Sequence, residues 1–143
     1  MKNKTVIFRI VFVVIVMLAC FFIYSNTGLK GLEKYVSNLV LPENIERVAI
    51  KNGIGDSGGN GDYSTYRVVL VIKTEMTLEN LTQEFASRNL TNSTHIMNSG
   101  TPICYITHCE NKVFKSDRDF KLIFNELEGI EDFSNYYFIE FIK

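Results

Sequence analysis

The chain has 143 residues, fifteen Lys or Arg against sixteen Asp or Glu, a formal net charge of −1, three cysteines and two histidines. Twelve of the cations and all sixteen acids fall after Ser25, a net of −4 over that part, so no basic stripe is available for a nucleic acid backbone and no polybasic patch for anionic lipid. About 119 residues follow Tyr24, enough for one packed domain and too few for two.

Val6 to Tyr24 reads VIFRIVFVVIVMLACFFIY with one charge, Arg9. At the helical rise the run is about 28 Å long, close to the hydrocarbon thickness of a bilayer. Lys2, Lys4 and Arg9 lie on its N-terminal side and the first charge beyond it is Lys30. The positive-inside rule then predicts a single-pass segment at the cell membrane, with the N-terminus cytoplasmic and the rest of the chain extracytoplasmic. Val13, Leu18, Cys20 and Phe22 are read as lipid-facing anchor residues, Arg9 as snorkelling to the headgroups, and Tyr24 as an interfacial aromatic. A cleaved signal would need small residues before its site, and Ile23-Tyr24-Ser25 is a poor match. A lipoprotein signal resembles Met17-Leu18-Ala19-Cys20, but apolar residues follow where such sequences turn polar. All three readings export the same domain. Residues 1–25 are therefore expected to be a cytoplasmic stub and membrane anchor, and residues 26–143 an extracytoplasmic domain.

Leu29, Leu32, Val36 and Leu39 recur at helical spacing, which predicts an amphipathic helix over about 28–40 ending before Pro42; it either continues the membrane helix or is separated from it by a break at Asn26-Thr27-Gly28. Arg47 to Lys51 reads as a short strand. Tyr63 to Lys73 is a strand with apolar residues on both faces, expected in the middle of a sheet. The glycine-rich stretch Asn52 to Asp62 would close a hairpin between them. Thr77 is placed to cap a helix running to about Asn89, with Met76 and Leu81 as a hydrophobic staple and Leu78, Leu81 and Phe85 as the buried stripe. Residues 92–102 read as loop. Ile103 to Cys109 reads as a strand with Val113 to Lys115 a candidate to pair with it, Phe120 to Leu127 fits helix and strand equally, and Tyr136 to Ile142 is a final strand. The expected fold is α+β: an N-terminal transmembrane helix, then a small antiparallel sheet of four or five strands with one or two packed helices.

Candidate sites are sparse. Gly53, Gly55 and Gly58 spell G-x-G-x-x-G, but a β-branched strand follows instead of the helix a pyrophosphate site requires. Asp56, Asn60 and Asp62 offer alternating oxygens, yet Gly58 and Arg67 stand where a calcium loop needs its third and twelfth ligands. The glycine loop is therefore read as a hairpin connection whose polar and aromatic residues, Asp56, Asn60, Asp62 and Tyr63, are available to a partner, together with Tyr136 and Tyr137 in the final strand. Cys104 and Cys109 would lie about 17 Å apart on a straight strand, beyond disulfide reach unless a turn or bulge interrupts the segment. No C-x-x-C or H-x-x-H spacing points to a metal, no cofactor is implied, and neither His95 nor His108 falls in a nucleophile context.

Gly59-Asn60-Gly61-Asp62-Tyr63 leading into Val68 to Thr74 and Leu78 to Leu81, with the ending Asp132 to Phe141, resembles small exported or membrane-anchored proteins of Gram-positive bacteria. The resemblance implies an exported bacterial domain and carries no catalytic residues. The expected role is non-enzymatic: membrane lipid held through the N-terminal helix, and an envelope or extracellular protein bound by the domain, as an immunity-type inhibitor would. The alternative is a small envelope enzyme or redox protein using Cys104, His108 and Cys109, which requires those three side chains to converge.

Overall fold

The computed structural model describes residues 2–56, 64–88, 102–116 and 120–143; at 2–10, 21–27, 56 and 64 the description is of backbone alone. The elements are helix α1 (Lys2–Ser37), strands β1 (Glu46–Asp56) and β2 (Ser64–Lys73), helix α2 (Leu78–Ser87), strands β3 (Ile103–His108), β4 (Val113–Lys115) and β5 (Lys121–Ile123), a 3-10 turn at Asn125–Leu127, and strand β6 (Tyr136–Ile142). The fold is α+β, with a four-stranded sheet in the order β1-β2-β6-β3, antiparallel throughout, and a separate β4-β5 hairpin.

β2 and β6 occupy the centre because both bury both faces. Side chains alternate along a strand, so one set of residues faces each layer. Val68, Leu70, Ile72, Tyr137, Ile139 and Phe141 form the first face and pack under Leu32 and Val36 of α1 and Leu81 and Phe85 of α2. Val69, Val71 and Phe138 form the second and pack under Phe114, Phe124 and Leu127 from the β4-β5 hairpin and its following turn. Each fully buried Leu, Ile or Phe contributes about 1.5–3 kcal/mol relative to exposure, so the sheet is a three-layer core with a helical cover on one side and a hairpin cover on the other.

Several expectations are corrected. Of the two readings open at residues 26–28, continuation is the one seen: α1 is a single helix from Lys2 to Ser37. The reason lies in packing. A side chain at Gly28 would collide with the Tyr66 ring, so this glycine admits the helix against the sheet instead of ending it. The helix stops three residues short of the predicted 40, and Arg47 donates to the carbonyls of Ser37 and, at 2.8 Å, Leu39. β1 extends to Asp56, so Asn52 to Asp56 are strand, not loop. A bulge between Arg47 and Ala49 turns its register. β4 pairs with β5 instead of β3. The ambiguous stretch 120–127 is neither one helix nor one strand: it is β5 followed by the 3-10 turn, which Gly129 leaves at a φ of +82°.

Other expectations match. Thr77 caps α2, accepting from the Asn80 N–H at 3.3 Å. Leu81 and Phe85 are fully buried, although Leu78 is exposed. β6 ties the last residues into the sheet: Lys143 and Tyr66 exchange both backbone hydrogen bonds at 3.0 Å. The expected transmembrane helix, by contrast, is not supported: among the described residues no helix is long and apolar enough to cross a membrane. The side chains described in the N-terminal half of α1 are those of Val11 to Cys20, and all are exposed.

Candidate functional site

Where α1 ends, it flanks an open groove of about 610 Å³ with the end of α2 on the other side. Its walls are Gly31, Lys34 and Tyr35 of α1, Leu39 and Val40 from the segment after it, and Arg88 capping α2. Val40 is 79% exposed, the most exposed large apolar side chain among the described residues. Arg88 donates from Nε to Glu84 Oε1 at 2.8 Å and from Nη1 to the Val40 carbonyl at 3.5 Å, which fixes its guanidinium at the rim. Tyr35 stands edge-on to Phe141, with 6.4 Å between ring centroids. Burial, and secondarily Cys104, push its phenol above the ordinary value, so it is neutral and serves as donor and apolar wall. The groove thus brings together two cationic side chains, a phenol, exposed Val40 and half-buried Leu39. Among the described residues lining it there is no nucleophile paired with a base.

A second polar constellation is buried beneath the β4-β5 hairpin. Arg67 of β2 donates from Nη1 to Glu140 Oε1 of β6 at 2.7 Å and to Ser116 Oγ at 2.6 Å. Ser116 in turn donates to Glu140 Oε2 at 3.3 Å, and Arg67 Nε donates to Thr65 Oγ1 at 3.3 Å. Phe120 lies over the guanidinium, 5.2 Å from centroid to Cζ. Gly53 and Gly55 of β1 make the space: a Cβ at Gly53 would stand 2.8 Å from the Phe120 ring, and one at Gly55 would meet the Arg67 side chain. Gly53 and Gly55 thus make room for the Phe120 and Arg67 side chains. Both charges are below a tenth exposed, and satisfied on several sides they pin the hairpin to the sheet. Sequence reading missed this pair. The available signal was one Arg and one Glu inside otherwise apolar strands, each of which needs a partner when buried.

The cysteine alternative does not assemble. Cys104 packs in the cluster under α1 and α2, and Cys109 in the cluster under the β4-β5 hairpin, on the opposite face. His108 shares the face of Cys104 but lies four residues along the strand, roughly 13 Å away. Its Nε2 is 2.9 Å from the Ser134 carbonyl and its ring stands edge-on to Tyr137. Both thiols are unpaired and pushed up to about 12, Cys104 by burial and then by Glu140, Cys109 by burial. A thiol held there is almost entirely protonated at neutral pH and is a poor nucleophile.

The residues expected to contact a partner scatter. Tyr137 is buried and its hydroxyl donates to the Met76 carbonyl at 2.9 Å, so it is a packing residue, not an exposed contact. Tyr136 is half-buried, against Phe133 and under Lys73. Asp56 is the last residue of β1, with its side chain outside the description. Asn60, Asp62, Tyr63 and His95 lie outside the described residues. Of the anchor residues, Val13, Leu18 and Cys20 are exposed on α1, while the side chains of Arg9, Phe22 and Tyr24 lie outside the description. Among the described residues no group of three or more His, Cys, Asp or Glu is placed to hold a metal ion. No family model, curated protein or solved structure matches this chain.

Proposed function

We propose that the chain is a single-pass membrane protein whose α+β domain lies outside the membrane and acts by binding another protein at the cell envelope. One observation carries the reading: α1 is a single helix from Lys2 to Ser37, its last turns buried in the domain core and its side chains from Val11 to Cys20 all exposed. Val11 to Leu18 are eight successive large apolar side chains, each at least 43% exposed. Such a surface is strongly unfavourable in water and favourable in lipid. In the sequence the apolar run continues on both sides of this segment, from Val6 to Tyr24. The basic residues Lys2, Lys4 and Arg9 then set the N-terminus inside.

The binding role rests on the groove beside α1. Exposed Val40 and Tyr35 between the cationic rims of Lys34 and Arg88 suit a protein segment with apolar and acidic side chains. An immunity-type inhibitor, seizing a toxin outside the membrane, is one form this takes. The test is a photo-crosslinking residue at Val40, introduced into the full chain in native membranes. A discrete adduct that disappears on reversing Lys34 and Arg88 to Glu supports the reading. Absence of any adduct at Val40 and at Tyr35 removes it.

A further inference from the structure

We infer that the Ser64 end of the sheet, which carries Ile54, Tyr66 and Lys143, rests on the surface of the same bilayer that holds α1. This rests on the membrane-anchored reading above. The direction of α1 over the sheet decides which end of the domain meets the membrane. Gly28 sits against Tyr66, near the start of β2. At the other end, Arg47, which pairs with Ile72 near the close of β2, holds the carbonyls of Ser37 and Leu39. The helix therefore runs in the same sense as β2, and its N-terminal half leaves the domain past the Ser64 end of the sheet.

All four strands present residues at that end. Ile54 is the register partner of Tyr66. Tyr66 exchanges backbone hydrogen bonds with Lys143, and Ile142 pairs with both Arg67 and Ile103. Ile54, Tyr66 and Lys143 thus form a row at the level of Gly28, with Ile103 one position further into the sheet beside Ile142. Gly28 is four residues from Tyr24, the outer end of the apolar run, or roughly 6 Å along the helix. The headgroup layer is about 5–8 Å deep on each side of the hydrocarbon, so the row falls within it.

The chemistry of the row suits that depth. Ile54 is 56% exposed, more than any other large apolar residue in the sheet. It lies two positions beyond Asn52 and four beyond Ile50, on the face that carries α1, next to the point where the helix departs. Lys143 is exposed, and so is Lys30 one half-turn beyond Gly28 on the helix; both are within reach of lipid phosphate. An exposed isoleucine with flanking ammonium groups at headgroup level fits a phospholipid surface. The contact would hold the domain at a fixed height and turn the opposite end, with Glu46, Glu75 and Asp132, toward the surroundings.

The experiment uses the full chain carrying Cys20→Ala, with Cys104 and Cys109 buried and unreactive in the folded protein, reconstituted in phosphatidylcholine vesicles, with an environment-sensitive fluorophore on one introduced cysteine at Ile54, Lys143, Asp132 or Leu18. Nitroxide-labelled lipids, with the nitroxide at the headgroup or deep in the acyl chain, act as quenchers. Headgroup nitroxide is expected to quench the Ile54→Cys and Lys143→Cys labels several-fold more than the Asp132→Cys label, and the deep nitroxide to quench Leu18→Cys. If Ile54→Cys and Lys143→Cys behave like Asp132→Cys while Leu18→Cys is quenched, the anchor stands and this inference is overturned. If Leu18→Cys is also unquenched, the anchored reading falls and takes the inference with it.

Discussion

Gly28 and Tyr66 define how the helix is mounted on the sheet: the ring of Tyr66 occupies the space that a side chain at residue 28 would fill. Three residues on, Gly31 has nothing within 4 Å of where its Cβ would lie. Two glycines in one helix therefore make opposite predictions. Gly31→Ala removes the intrinsic helix penalty of glycine and should stabilise the domain by up to about 1 kcal/mol. Gly28→Ala gains the same propensity but forces the ring and helix apart, at about 1–3 kcal/mol for overpacking, and should be neutral to clearly destabilising. Denaturant unfolding of both variants measures the difference. Equal effects would mean that Gly28 is not the close-approach point.

The Arg67–Glu140 pair makes a second prediction. Removing one member of a buried, hydrogen-bonded ion pair leaves the other uncompensated and typically destabilises by about 3–5 kcal/mol. Arg67→Met or Glu140→Leu alone should cause losses of that order, and each should loosen the β4-β5 hairpin, read as faster amide exchange at Val113 and Phe114. The double variant, apolar at both positions, should recover most of the loss. A double variant as unstable as the sum of the singles would show that the two residues act independently.

The thiols predict both reactivity and pH dependence. Cys20 is exposed, whereas Cys104 and Cys109 are buried with their titration pushed up to about 12. A water-soluble thiol reagent applied in detergent at neutral pH should leave Cys104 and Cys109 unmodified in the folded chain and modify both after denaturation. Because the folded-state values are raised, the folded chain keeps protons that the unfolded chain gives up above about pH 9. This stabilisation is complete below pH 9 and is lost as pH rises toward 12, with a slope of about 1.4 kcal/mol per pH unit for each thiol. Replacing both residues by Ala should remove that part of the alkaline fall in stability.

Much of the fold was legible because β2, β6 and α2 carry local signals that agree with their surroundings. The run from Tyr66 to Ile72 is apolar on both faces and is central, and Thr77 precedes an amphipathic stretch and caps it. What failed locally was settled by contacts distant in sequence. Nothing near Gly28 announces that Tyr66 will lie against it, so Asn26-Thr27-Gly28 alone does not choose between a continuous helix and a break. Val113 to Lys115 is too short to choose between β3 and β5, and its partner was selected by the packing of Phe114 and Phe124 on Phe138. Gly53 and Gly55 looked like loop because their role is to receive Phe120 and Arg67 from elsewhere. The candidate groove was illegible for the same reason: Val40 and Arg88 are separated in sequence and meet only through the folding of two helices.

The placement of the chain across a membrane is tested most directly by labelling with a membrane-impermeant maleimide in intact cells. In the Cys20→Ala background, where the remaining Cys104 and Cys109 are buried, one introduced cysteine would replace Lys4, at the N-terminal end of α1, or exposed Glu75, in the turn after β2. The account predicts that Glu75→Cys is labelled from outside in intact cells and Lys4→Cys only after permeabilisation, with the protein remaining in the membrane through alkaline carbonate extraction. Labelling of Lys4→Cys but not Glu75→Cys in intact cells, or release of the chain by carbonate, would contradict it.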